Sequence, residues 1–247
     1  MKVHVLVILL LICSSGCSYI KPEKADSLLI PEEGFSLVQH TFKKEERINN
    51  SLYLPSRKIE KQEFDSQELN GFIEELRSVM HFWHGVGIAA NQVNKNIQLF
   101  LIEANSHSLW HEELDVVPFQ VFINPKITKV SKHRKNFWHG CLSASGEKLG
   151  NVASYEWVEY EAYNAKGEIQ RGRLNGFTAV IFQHELRHLL GGTYLDKAVQ
   201  FVETKEFYTR LNEKTLLFSE RVNNDLPLLL DDYIINETIE EYYQLNQ

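Results

Sequence analysis

The sequence is poor in positive charge, poor in cysteine and without any apolar run long enough to cross a bilayer as a helix. Lys and Arg number 26 against 33 Asp and Glu, for a net charge of -7. No basic patch alternates with aromatics, which excludes nucleic acid as a partner. Three cysteines in 247 residues leave no basis for a disulfide framework. The longest apolar run, Val3 to Cys13, falls well short of the roughly 20 residues a membrane-spanning helix needs. No internal repeat is present. What is there is ample core material: 43% hydrophobic and 11% aromatic residues, enough for one domain with or without a tail.

The short apolar run has a different use. "MKVHVLVILLLICSSGC" carries one early positive charge, an apolar stretch, small residues and then Cys17, the order of an export signal. "SSGC" resembles the lipobox of bacterial lipoproteins, although Ser14 stands where Leu is usual. The expectation is cleavage before Cys17, lipidation of Cys17, and a membrane-anchored exported protein, with a cytoplasmic protein as the alternative. Residues 18–37, polar with two prolines, read as a tether. Cys141 is then the one thiol left in the mature chain.

Residues 38–200 read as one catalytic domain and 201–247 as a helical C-terminal extension. "DSQELNGFIEELRSVMHFW" predicts a helix, with Asp65 and Glu68 as a capping box and Phe72, Leu76, Val79 and Met80 on one face. "IQLFLIEA" and "VVPFQVFINP" predict strands, the second with an edge-type Pro118. "YEWVEYEAY" and "EIQRGRL" around "NAKG" predict a hairpin. Asn175 and the Gly191–Gly192 pair bound a helix between them. Strands and helices mix without strict alternation, which points to α+β.

That last helix carries "QHELRH". Positions four apart lie one turn apart on one side, so His184 and His188 can offer two imidazoles to one metal ion. Glu185 flanks the same pocket and can take a proton from an activated water. A catalytic metal needs a third protein ligand, and Cys141 in "HGCLS" is the candidate, its thiolate suiting zinc and ferrous iron alike. "GVGIAANQ", Gly85 to Gln92, suggests backbone passing close to a ligand, with the Gln92 amide available to an oxyanion.

Taken in order, "GVGIAANQ", "INP" (Ile123–Pro125), "GCLS", "QHELRH" and "GGTYLDK" resemble the peptide deformylases, from about Val38 to Lys197. The resemblance implies an α+β fold with antiparallel sheets around a central helix bearing the two histidines, and a C-terminal helix. It implies one divalent metal ion on Cys141, His184 and His188: Fe2+ by resemblance, with Zn2+ the safer ion in an aerobic exported setting. Glu185 is implied as general base and then acid, and Gln92 with the Leu142 backbone N–H as oxyanion donors. Gly85, Val86, Gly87 and Ile88 are implied to line the groove for an N-formyl peptide. The implied reaction is removal of the formyl group from formyl-methionyl peptides, with formate released. Export leaves two alternatives open: hydrolysis of another small N-acyl amide, and a non-catalytic formyl-peptide-binding lipoprotein.

Four places depart from the family pattern. Asn91 replaces Pro, His139 replaces Glu, Ala144–Ser145 replaces Val-Pro, and Arg187 replaces the Asp of H-E-x-D-H. The exchanged Glu and Asp typically hold an Arg, and "NVASYEW" contains none. The expectation is a charge cluster rebuilt with opposite sign, Arg187 pairing with Glu147 or Glu156, and the reaction retained.

Overall fold

The computed structural model describes residues 27–104, 116–144, 148–217, 219–221 and 226–246. The export signal, Cys17 and Glu147 lie outside the described residues. In chain order the elements are α1 (Lys44–Arg47), α2 (Gln67–Phe82), β1 (Gly87–Ala89), β2 (Leu99–Ala104), β3 (Val117–Val130), β4 (Arg134–His139), β5 (Leu149–Tyr155), β6 (Trp157–Tyr163), β7 (Ile169–Asn175), α3 (Gly176–Leu189), β8 (Gln200–Val202), α4 (Thr204–Asn212), β9 (Ser219–Arg221) and α5 (Ile239–Leu245). Two antiparallel sheets, ordered β1-β2-β3-β6-β7 and β8-β5-β4-β9, flank α3. This is the expected α+β arrangement around a central helix.

Alternation along the strands explains the layering. β6 alternates half-exposed and buried residues, and Val158, Tyr160 and Ala162 turn inward onto the α3 side. There Phe100, Phe122 and Phe182 meet at centroid distances of 5.0–5.1 Å, within the range of favourable aromatic contacts. The opposite side of β1 and β2 packs on α2 through Phe72, Leu76 and Met80. Pro118 sits in a central strand, yet β6 pairs with β3 only from Ile123 onward, so at Pro118 the strand is locally an edge.

Two helix boundaries depart from the expected ones. Ser66, not Asp65, caps α2: its Oγ accepts the Leu69 N–H at 3.1 Å. The Asp65 N–H is held by Ala165 O at 2.8 Å, with the residue in a left-handed conformation (φ 56), so the helix begins one residue later. At α3, Asn175 is the N-cap residue but its side chain makes no capping bond, while Gly191 (φ 74) ends the helix as expected.

The segments at both ends of the domain are more integrated than their composition suggests. Leu28, Phe35 and Leu37, inside the stretch read as a tether, pack against the α2 core, with Phe35 edge-on to Phe72 at 5.3 Å. Their apolar side chains find a groove that the surrounding prolines and charges conceal in the sequence. The C-terminal region is not simply helical: after α4, Ser219–Arg221 adds β9 to the edge of β4. Pro227 and Leu229 then bond the backbone of Ala153, Asn236 bonds Ile127, and Leu230, Tyr233, Ile239 and Tyr242 enter the main core.

Candidate metal centre and active site

Every residue of α3 from Ala179 to Leu189 is buried, as expected of a helix with sheets on both sides. Its position is fixed by polar side chains. Gln183 accepts the Tyr155 N–H at 2.9 Å and donates to Tyr155 O at 3.0 Å, locking the helix to the end of β5. Asn91 Nδ2 donates to the carbonyl of His188 at 2.6 Å. The exchange of Pro for Asn at 91 therefore gains a bond to the residue that carries a candidate ligand.

β4 ends at His139, and Gly140 leads into Cys141 and a 3-10 turn, Leu142–Ala144. This brings Cys141 Sγ to 3.2 Å from His188 Nε2. One donor atom each from Cys141, His184 and His188 lies within 4.8 Å of the others. A tetrahedral ion with ligand bonds of about 2.0–2.3 Å needs neighbouring donors about 3.5 Å apart, so the three residues fit a divalent metal. His184 turns its Nδ1 to His139 Nδ1 at 3.1 Å, the two rings stacked at 11°. That leaves Nε2 of His184 for the metal side. His139, which stands where the family pattern has Glu, is thus the hydrogen-bond partner of this imidazole.

Burial dictates the electrostatics. It holds His184 down to about 4 and pushes His188 well below the usual imidazole value. It also pushes the Cys141 thiol up, with the neighbouring Glu185 adding to the effect. Such a cluster prefers to be uncharged, and a bound cation is what makes its thiolate favourable. Burial likewise raises Glu185 well above an ordinary carboxyl.

Gln92 comes from the 3-10 turn Ala90–Val93 that follows β1. Its Oε1 accepts the Ala89 N–H at 2.8 Å, which aims Nε2 at Ser143 Oγ (3.1 Å) and Cys141 Sγ (3.5 Å). The glycines of the preceding stretch serve protein contacts as well as access. A Cβ on Gly87 would stand 2.4 Å from Glu185 Oε1, and one on Gly85 would stand 2.9 Å from Leu142 Cδ1. Gly85, Val86, Gly87, Gln92, Cys141, Leu142, His184 and Glu185 all line one cavity of about 260 Å³. Ile88 does not: strand alternation turns its side chain into the α2 core, where it is fully buried. Absent from the sequence reading are Trp138, Leu149, Phe177 and Val180, which form the apolar part of the cavity wall.

Arg187 departs from its expected partners. Nη1 lies 2.8 and 2.9 Å from the two carboxylate oxygens of Asp232, while Glu156 faces Lys135 at 3.8 Å. A rebuilt cluster exists, but its acid comes from the C-terminal segment.

The sequence pattern of the polypeptide deformylase family matches residues 46–204. The chain belongs to this family. It is 32% identical over 143 residues to peptide deformylase 1 of Nitrosomonas europaea, covering 58% of this chain and 79% of that relative. It is 33% identical over 138 residues to peptide deformylase 2 of Pseudomonas syringae pv. tomato, covering 56% and 76%. The fold is similar to the actinonin-bound class I type b peptide deformylase of Acinetobacter baumannii, with a TM-score of 0.54, 27% identity, and coverage of 65% of this chain and 98% of that one. The matched region of the family ends at residue 204, the first residue of α4, so the rest of α4, β9 and the segment carrying Asp232 lie beyond it.

Proposed function

We propose that this member of the deformylase family is a hydrolase that removes the formyl group from formyl-methionyl peptides. Water and the formyl amide give formate and a free peptide amine. The observation that carries this reading is one cavity lined by Cys141, His184, Glu185 and Gln92, with His188 buried behind Cys141 and completing the three-donor cluster. A divalent metal on the three ligands would supply Lewis acidity toward the formyl carbonyl and toward water. Glu185, with its raised proton affinity and its carboxylate against Gly87, accepts the water proton and returns it to the departing amine nitrogen. The Gln92 amide, anchored through its own oxygen, donates to the oxygen that gains charge at the formyl carbon. The Leu142 N–H, at the start of the turn after Cys141, is the second donor in this scheme. Trp138, Phe177 and Val180 offer an apolar seat for the methionine side chain.

Ferrous iron is the ion suggested by family resemblance, and zinc the ion suited to an oxidising compartment. Export and anchoring through a lipidated Cys17 are supported by the apolar run and the "SSGC" stretch alone. The test is metal analysis of the purified chain together with formate release from formyl-Met-Ala, with acetyl-Met-Ala as comparison. Metal binding with turnover of the formyl peptide alone is expected. Equal or exclusive turnover of the acetyl peptide would replace this reading with a broader N-acyl hydrolase, and peptide binding without turnover would replace it with a binding protein.

A further inference from the structure

Among the described residues β1 has one strand neighbour, β2, and is therefore the edge of its sheet. Val86 O accepts the Glu103 N–H at 3.0 Å, and the register continues Gly87↔Ile102 and Ile88↔Leu101. Antiparallel alternation then turns the main-chain groups of Gly87 away from β2, toward the cavity edge. An extended peptide can pair there as an added strand. Its formyl end belongs at the buried end of the cavity, beside Glu185 and Cys141, so its following residues run toward the open end.

At that open end stands Trp83, half exposed and lining the same cavity. It is held on a rigid shoulder. Trp83 N–H bonds Val79 O, His84 N–H bonds His81 O, and Gly85 N–H bonds Met80 O, at 3.2, 3.0 and 2.9 Å. Phe82, 74% exposed, braces its ring edge-on at 5.4 Å. Trp83 on the cavity wall, with Phe82 packed edge-on against it, offers an exposed aromatic surface to a side chain that comes to rest there. In an extended peptide, side chains one and three point the same way, about 6.6 Å apart. With the first side chain in the cavity, the third comes to the mouth on the same side.

Resting on the deformylase reading of the site, we infer that Trp83 is a specificity-determining residue, favouring substrates with an aromatic or large apolar third residue. The contact is made equally before and during the reaction, so it acts on KM and leaves kcat largely alone.

The test uses the full-length metal-loaded chain with formyl-Met-Ala-Phe and formyl-Met-Ala-Ala, alongside equilibrium affinities for Met-Ala-Phe and Met-Ala-Ala, which need no turnover. Wild type is expected to favour the Phe peptide by about 3- to 10-fold in KM and in affinity, the size of an aromatic contact. Trp83→Phe should keep the preference and Trp83→Ala should bring the two peptides level, both with unchanged metal content. No preference in wild type, or an undiminished one in Trp83→Ala, overturns the inference. Should wild type hydrolyse neither formyl peptide, the deformylase reading falls, and the affinities still decide the role of Trp83.

Discussion

The guanidinium of Arg187, one residue before the candidate ligand His188, is held by both carboxylate oxygens of Asp232, 45 residues further along the chain. Tyr242 donates to the same carboxylate at 3.1 Å, and Lys197 reaches it at 3.3 Å. The C-terminal segment thus supplies the counter-ion for a buried cation on the helix that carries His184 and His188.

Removing one partner of such a pair strands the other. Asp232→Ala leaves Arg187 buried and uncompensated and is expected to cost about 3 kcal/mol, read as a fall of about 6–12 °C in Tm. Arg187→Met, which removes the charge and keeps most of the volume, should cost clearly less. The pH dependence has a definite sign. Burial pushes the Asp232 carboxyl up, but Arg187 and Lys197 outweigh it and hold it below its ordinary value. The contribution is therefore complete above the unfolded value, about pH 4, and is lost as pH falls through the lower folded value. Acid unfolding of Asp232→Asn followed by circular dichroism should lack this component. An unchanged acid limb and Tm would show the pair to be energetically idle.

The metal ligands yield a second expectation. The purified chain should carry about one divalent ion, and Cys141→Ala should lose it or hold it far more weakly. Binding requires the thiolate, while burial and Glu185 favour the thiol. Metal loading should therefore release a proton and weaken as pH falls. Chelator competition across pH, with metal analysis, reads both effects. Full occupancy in a Cys141→Ala, His184→Ala double variant would remove the site.

The clustering of the candidate ligands is legible because spacing carries geometry: His184 and His188 share a helix side whatever surrounds them. The hairpin β6–β7 and the α2 face were legible for the same reason, since local periodicity decides them. Asp232 was not legible. Nothing local distinguishes it from Asp231, and only the return of the chain across α3 places it on Arg187. Ile88 leaves the groove that its motif implies because a strand presents two surfaces and its side chain takes the one facing α2. Ser219–Arg221 is a strand where the local pattern predicts helix, because an edge pairing with β4 leaves no mark in the segment's own sequence.

The chemical step separates binding from turnover. Glu185→Ala should keep its metal and lose about 10²–10⁴ in kcat, because proton transfer is what it removes. Gln92→Leu should lose about 10²–10³ through weaker support of the oxyanion. Formate release and metal content are measured on the same preparations. Wild-type turnover by the Glu185→Ala protein would defeat the mechanism.

Anchoring is tested in a bacterium that processes lipoproteins. The wild type should fractionate with membranes, and its N-terminal peptide should begin at an acylated Cys17, since two or more chains give stable attachment where one gives marginal binding. Cys17→Ser should yield an unprocessed precursor or a soluble form. An unmodified Met1 terminus on soluble wild-type protein would overturn export.

Gly87 offers the sharpest single-atom test. An added Cβ would meet Glu185 Oε1 at 2.4 Å and Ile181 Cγ2 at 2.8 Å, both inside contact distance. The carboxylate is the more movable of the two, because Ile181 is buried in the main core. Gly87→Ala should therefore displace Glu185, which no longer reaches the position from which it exchanges a proton. Turnover should fall by at least about tenfold, as misplacement of a proton-transferring group does, while Cys141, His184 and His188 keep their metal. Gly140→Ala is the control, since its Cβ would meet nothing within 4 Å and should leave metal content and Tm unchanged. Activity and metal content measured together decide the outcome. Full activity in Gly87→Ala would mean that Glu185 works from elsewhere, and loss of metal along with activity would mean that α3 itself had moved.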